Sequence, residues 1–442
     1  MRTNCLSNLF SGTFLTALVA LSACSGTEES FSTLEEQARL SAVIEGPVPV
    51  PLLPSVASEL GVGQILCDSY QLRAGDDDDD EADEEDEVYA AGDRGALSGM
   101  SQCIRTAKRM YREMQVQLVL LKHPSTVDRG LQMVSAKTTV LFPDGSYTQG
   151  SQGASGFAAS YSKLFDSQQV VAIQNKFIYK PIDKHTVIVI GDPAYTMAGG
   201  AAINSVQFQV YTRSHGGGGR CRSLSHLTGK VCWSQVAAQW AYTRPFGGIS
   251  IPHATSSVRS HIPTSESYPA VLEPERIVCD GAFRARPGDA LNCEQLAREF
   301  YKEIQFQILT LTDPSTVGSG LATLNAATTF VYPTGLVTEG ITALGVYTPS
   351  LFGEGFFPVA LQNKFLYKAI DSETVLFIGS PVFTMFNFAD GTVRATESIQ
   401  MSLYRRNATS LGNCRSASNL TGDVCWNEVA EQWVYGQPVL GG

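Results

Sequence analysis

Gln362-Asn-Lys-Phe-Leu-Tyr-Lys-Ala-Ile-Asp371, then Ser372-Glu373, then Thr374-Val-Leu-Phe-Ile378 reads as two strands joined by a turn. In the first, Leu361, Asn363, Phe365 and Tyr367 alternate with Gln362, Lys364, Leu366 and Lys368. That two-residue period predicts one face in the core and one face in water. Working outward, Val359 to Ile370, Thr374 to Phe386 and Thr392 to Arg405 form three long strand candidates. Turns fall at Asp371-Ser-Glu373 and at Asn387 to Gly391. Upstream, Leu296, Phe300, Ile304 and Ile308 recur every four residues, the stripe of an amphipathic helix that should end near Asp313-Pro314. A short second helix over Gly320-Leu321 and Leu324, a strand from Thr328 to Tyr332, and a short helix from Ile341 to Leu351 complete the series. Helices followed by a run of antiparallel strands make an α+β plan.

The same series occurs earlier in the chain. Gln174-Asn-Lys-Phe177 answers Gln362-Asn-Lys-Phe365, and Pro124-Ser-Thr-Val127 answers Pro314-Ser-Thr-Val317. Ile65-Leu-Cys-Asp68 answers Ile277-Val-Cys-Asp280, and Cys232-Trp233 with Trp240 answers Cys425-Trp426 with Trp433. A period close to 190 residues is a duplicated domain, since solenoid repeats run to about 20–50. The chain therefore divides into a signal segment 1–23, a Pro-containing spacer 24–64, a first domain 65–243, a linker 244–276 and a second domain 277–437.

Composition excludes some classes of function. Of the 442 residues, 43% are hydrophobic and 17% charged, enough for packed cores and too few charges for a coiled coil. The net charge of -11 resides in one run, Asp76 to Glu87, which holds 11 acids. Without them 32 acids face 32 bases, so no basic surface is left for a nucleic acid. Asp76, Asp78, Asp80 and Glu87 fall at positions one, three, five and twelve of a calcium-binding loop. Glu81, however, stands where that loop needs glycine for its turn, so a solvated acidic loop is the expectation. His215-Gly-Gly-Gly-Gly219 lacks the Lys-Ser/Thr end of a phosphate loop, and no nucleophile elbow occurs. No cofactor is expected.

Arg2 and the apolar run Leu9 to Ala23 form a signal segment too short and too polar for a spanning helix. It ends Leu21-Ser-Ala-Cys24, which resembles a bacterial lipobox, and this implies a diacylglycerol on Cys24. Ser25 resembles the outer-membrane sorting choice, so the expectation is a lipid-anchored protein of the cell envelope whose membrane partner is held through Cys24 alone. Eight further cysteines, an even number, suit disulfides, and no paired C-x-x-C spacing suggests zinc. Four per copy leave three connectivities each. The simplest closes short local loops: Cys67 with Cys103 and Cys221 with Cys232, then Cys279 with Cys293 and Cys414 with Cys425.

Long helix, short helix, a strand ending Tyr332-Pro-Thr-Gly335, then Glu339-Gly-Ile341 opening another helix before long antiparallel strands: this order resembles the NTF2-like superfamily. SnoaL-like cyclases and ketosteroid isomerases belong to it. The resemblance covers about residues 98–242 and 289–435. It implies two tandem cones, each a curved antiparallel sheet wrapped on helices around a pocket. One departure is marked. Trp426, Val429, Ala430 and Trp433, and likewise Trp233, Val236, Ala237 and Trp240, fall at i, i+3, i+4 and i+7, which predicts a helix where the family commonly finishes in a strand.

Isomerase-like members place a basic carboxylate near the end of the first strand. Here Phe330-Val-Tyr-Pro-Thr334 has no carboxylate until Glu339, and Asp144-Gly145 reads as a turn. Asn175, Tyr179, Tyr195, Asn363 and Tyr367 are the pocket candidates. The leading expectation is a non-catalytic module that binds a small apolar ligand or an envelope protein. The alternatives are a lipid-anchored isomerase, cyclase or dehydratase acting on a small apolar substrate, and a purely structural envelope protein.

Overall fold

The stripe at Leu296, Phe300, Ile304 and Ile308 is the buried face of a helix that starts on a capping box. Asn292 accepts from the Gln295 amide at 2.9 Å, and Gln295 returns the bond to the Asn292 amide at 3.0 Å. The structure is a computed structural model. It describes residues 64–70, 96–122, 126, 130–134, 137–143, 145–148, 170–200, 202–215, 231–242, 272, 274–279, 283, 291–312, 315–316, 321–324, 326–332, 335–340, 356–408 and 424–435. Outside them lie Cys24, the spacer, the acidic run with Asp76, Asp78, Asp80 and Glu87, the helix expected at 341–351, and the pairings of Cys221 and Cys414.

The first half holds helix α1 (Ala96–Leu121) and strands β1 (Thr139–Leu141), β2 (Tyr147–Thr148), β3 (Val170–Gln174), β4 (Phe177–Asp183), β5 (Thr186–Gly191), β6 (Ala194–Met197), β7 (Ala202–His215) and β8 (Val231–Tyr242). The second holds α2 (Cys293–Leu311) and β9 (Ile277–Val278), β10 (Thr329–Val331), β11 (Val337–Glu339), β12 (Phe356–Gln362), β13 (Phe365–Asp371), β14 (Thr374–Gly379), β15 (Val382–Asn387), β16 (Val393–Ala408) and β17 (Val424–Tyr435). The first sheet runs β2-β1-β8-β7-β5-β4, with β6 joining β3 to β7. The second runs β11-β10-β17-β16-β14-β13-β9, with β15 joining β12 to β16. The pairings are antiparallel except β1 with β8, β10 with β17 and β9 with β13. Among the described residues, one α-helix lies against each mostly antiparallel sheet, an α+β arrangement with far more sheet than helix.

Each sheet is covered on both faces. On one side α1 packs Met110 and Met114 onto Phe177, Tyr211 and Trp233, and α2 packs Phe300 and Ile304 onto Phe365, Phe377 and Trp426. On the other side the two sheets meet, Ile188, Ile190, Phe208 and Val210 facing Leu376, Ile378, Met401 and Leu403 in one apolar cluster. This overturns the expected wet face at Leu366 and Lys368, whereas Lys364, in the turn before β13, is exposed as expected. Every residue of β13 is buried, Lys368 included, because the opposing sheet takes the place of water. The long strands expected over 359–370 and 374–386 are each cut in two. Asn363 accepts from the Phe365 amide at 3.2 Å and turns the chain between β12 and β13. Gly191 lies so close to that turn's counterpart in the first half that a Cβ would sit 2.5 Å from the Lys176 carbonyl oxygen.

A second correction concerns the C-terminal element of each half. Trp426 to Trp433 and Trp233 to Trp240 are strands β17 and β8, and the helical spacing has another origin. Leu403 pairs with Ala430 but Tyr404 pairs with Glu428, so Val429 is an extra residue, a β-bulge. Trp426 lies before the bulge on the helix side, Val429 and Ala430 face the other sheet, and Trp433 returns to the helix side. A bulged strand buried on both faces therefore imitates i, i+3, i+4, i+7. Val236 takes the same place in β8.

Two expected disulfides are present, Cys67–Cys103 and Cys279–Cys293, with Cα atoms 6.0 and 5.9 Å apart. Each ties a short stretch to its helix. Ile65 bridges to Tyr179 and Ile277 pairs with Tyr367, as the repeated Ile-x-Cys-Asp implies. Leu272, inside the stretch expected as linker, is buried in the second core, and the Arg276 guanidinium lies 5.7 Å from the Tyr367 ring centre.

Candidate functional site

The bulge at Val429 decides what β17 presents to the helix. Without it Glu428 and Glu431 would point to opposite faces, because side chains alternate along a strand. With it, Glu428 stands opposite Tyr404 and Glu431 opposite Ser402, both on the side of α2. Glu428 is 2% exposed and Glu431 6%. The Ser402 hydroxyl donates to Glu431 Oε1 at 3.1 Å. The Tyr404 hydroxyl lies 3.3 Å from Gln307 Oε1, and Gln307 donates to Thr323 Oγ1 at 2.9 Å. Oε1 of Glu428 has no hydrogen-bond partner among the described residues. Among the described residues no ion pair reaches either carboxyl.

Burial dominates the electrostatics. It pushes the Glu428 carboxyl up to about 8, against hydrogen bonds from Tyr404, Ser402 and Glu431 that pull the other way. Burial, then the Glu428 charge beside it, lifts Glu431 well above the carboxylate range. The same desolvation and the two acids lift Tyr404 well above 10.0. Near neutral pH the pair therefore holds at least one proton. It can give a proton to one ligand atom and take one from another, which is the equipment of general acid–base chemistry and of polar recognition alike.

The first half carries the same layout without the charge. Gln235 opposes Tyr211, where Glu428 opposes Tyr404, and Ala238 takes the place of Glu431. The Gln235 amide donates to Gln209 Oε1 at 2.8 Å and to the Tyr211 hydroxyl at 3.0 Å. Gln209 donates to Gln207, and Gln207 to the Tyr195 hydroxyl and to Ser205 Oγ at 2.9 Å. This is a neutral chain, closed at the helix by Gln117, whose Oε1 lies 3.4 Å from the Tyr211 hydroxyl.

Of the pocket residues expected from sequence, Tyr195 joins this chain and stacks on Trp240, with ring centres 6.4 Å apart. Asn175 donates to the Tyr179 hydroxyl at 3.3 Å, and Asn363 to the Tyr367 hydroxyl at 3.0 Å. Those four hold the turns before β4 and β13 and the aromatic core under the helices: Tyr179 meets Tyr111 edge-on at 5.6 Å, and Tyr367 meets Tyr301 at 5.3 Å. Glu428 and Glu431 escaped the sequence reading because a helix was expected at 426–433, and Ser402 and Tyr404, on a strand that was expected, had no partner there to mark them. The signal that could have found them is two acids set between tryptophans where the other copy has Gln235 and Ala238.

No family model matches the chain, and no curated protein matches it. Among solved structures it is similar to an NTF2-like protein of unknown function in nutrient uptake from Rhodospirillum rubrum, at 18% identity over 31% of this chain and 95% of that one, with a TM-score of 0.22. A nuclear transport factor 2 (NTF2-like) superfamily protein from Salmonella enterica shares 13% identity over 34% and 98%, with a TM-score of 0.26. An NTF2-like protein from Prochlorococcus shares 12% over 31% and 94%, with a TM-score of 0.22.

Proposed function

We propose that this chain is a lipid-anchored protein of the bacterial cell envelope, sorted to the outer membrane, built of two tandem NTF2-like domains. The second binds a small molecule, and the first serves as its folded partner. The lipobox ending at Cys24 supports the anchor. The duplicated strand order and the helix laid on each sheet support the domain assignment. One observation carries the binding reading: two carboxyls that a bulge turns to the same buried side, one with an oxygen that has no partner among the described residues. Leaving such a group buried costs about 1–3 kcal/mol, which a bound ligand would offset. Mass spectrometry of small molecules retained by the native protein tests this. The wild type should carry an organic ligand that E428Q/E431Q loses. Equal loads, or none in either, would remove the second domain as the binding site.

Tyr404 opposite Glu428 favours a second reading, an isomerase or dehydratase in which the acid pair moves the proton and the phenol steadies the substrate. Turnover that E428Q abolishes while the ligand stays bound would select it over simple binding.

A further inference from the structure

We infer that the row Trp426, Glu428, Glu431, Trp433 on β17 is a receptor for an organic cation, a small molecule carrying a substituted ammonium group. The inference rests on the second half being the ligand site and adds the chemical class of the ligand. Its starting point is a buried acid pair that no described side-chain cation neutralises, so a proton, or a bound cation in the proton's place, must do so. The basic side chains nearby are committed elsewhere: Arg406 to Glu299 at 2.7 Å, Arg405 to the Ile182 carbonyl of the first half at 3.0 Å, and Lys368 to Thr139 and to the Val236 carbonyl at 3.2 and 3.1 Å. Glu428 and Glu431 are left as a buried acidic pair, and Glu428 Oε1 has no partner among the described residues.

The walls say which cation. Tryptophans flank the acids on the same side of the strand, Trp426 packed on Phe300 at 4.8 Å and Trp433 against Phe383 at 5.7 Å. Tyr404 completes the aromatic surround, 4.9 Å from Phe300. No third Asp, Glu, His or Cys stands with the two acids among the described residues, which disfavours a bare metal ion. Aromatic faces attract a weakly hydrated ammonium group and cannot replace the waters of a hard one. The first half is the internal comparison. Trp233 and Trp240 hold the same places, but between them stand Gln235 and Ala238, which carry no charge.

The four tryptophans of the chain are these two pairs, so the full chain labelled with 5-fluorotryptophan reports one pair of resonances from each half. Choline and its uncharged isostere 3,3-dimethyl-1-butanol are the probes. Choline should shift the Trp426 and Trp433 resonances, leave those of Trp233 and Trp240 in place, and bind at least about tenfold tighter than the alcohol. E428Q/E431Q should lose the choline response while its own Trp426 and Trp433 resonances stay dispersed as in the folded wild type, which certifies the fold of the second half. If the alcohol binds as tightly as choline, or the double variant still binds choline, the cation inference falls and the small-molecule site stands. If neither probe moves any resonance at saturating concentration, the inference and the site reading fall together.

Discussion

Glu428 and Gln235 are the same residue position written twice: each lies one residue before a β-bulge and directly opposite a tyrosine, Tyr404 or Tyr211. An amide there donates to Gln209 and Tyr211 in a neutral chain, its own oxygen left without a partner among the described residues. A carboxyl there meets a second carboxyl and a buried phenol. The two halves share one scaffold and differ in what its inner face can hold.

That difference sets a pH dependence. Burial holds Glu428 at about 8, whereas an unfolded glutamate titrates near 4.3. Between those values the folded chain keeps a proton that the unfolded chain releases. The stabilisation is complete below about pH 4 and is lost as pH rises toward 8. The unfolding free energy of the wild type should therefore fall between pH 5 and pH 8, and E428Q should be the more stable protein at pH 8, by about 1–3 kcal/mol. Urea titrations at both pH values read this directly. A variant whose stability falls with pH as steeply as the wild type would place the titrating group elsewhere.

Lys180 joins the halves from within. Its ammonium is fully buried and donates to the Ala327 carbonyl at 2.5 Å and to Thr329 Oγ1 at 2.7 Å, with Asp68 at 3.2 Å and Glu339 at 3.8 Å. Burial pulls its pKa down, and the two acids oppose that shift. K180A removes the donor and opens a void, so it should cost about 2–4 kcal/mol in chemical denaturation, and K180M should recover part of the loss by filling the space. A K180A protein as stable as the wild type would mean the halves do not depend on this contact.

Much of this was legible before the structure. The four-residue stripe of α2 and the strand ended by Tyr332-Pro-Thr-Gly335 follow local rules, since one face of each is apolar and proline and glycine close it. The duplication was legible because matched cysteines, tryptophans and Gln-Asn-Lys-Phe turns recur in order. The inner face of β17 was not. A strand covered on both faces loses its alternation, and the bulge at Val429 shifts its parity, so Trp426, Val429, Ala430 and Trp433 fall into a helical period. With the element misread, nothing marked Glu428 and Glu431 as neighbours on one face. Lys368 was misread for a related reason: the neighbour that buries it comes from the other half, a contact that strand periodicity cannot register.

The anchor has its own test. Cys24→Ser removes the thiol that would carry the lipid, so the variant should leave the detergent phase or accumulate with its signal segment uncleaved. Partitioning identical to the wild type would remove Cys24 as a lipid anchor.

The acidic run tests how far the halves are alike. Cys67–Cys103 spans 36 residues and Cys279–Cys293 only 14, yet both hold their Cα atoms at the same spacing, 6.0 and 5.9 Å. The second half thus closes the same connection without the extra chain, most of which is Asp76 to Glu87. Loop-closure entropy grows only as the logarithm of length, so shortening the first loop toward the second changes it by less than about 1 kcal/mol. Eleven acids in twelve positions also repel one another and offer almost no apolar surface to bury. Deleting Asp76 to Glu87 should leave the melting temperature nearly unchanged while it removes the whole net negative charge, and calorimetry with electrophoretic mobility reads both. If the run instead gathers Ca²⁺ through Asp76, Asp78, Asp80 and Glu87, millimolar Ca²⁺ will raise the melting temperature of the intact chain and not of the deletion. A large loss of stability on deletion without Ca²⁺ would show that the run packs into the first half, and that the two connections are equivalent in span but not in what they contribute.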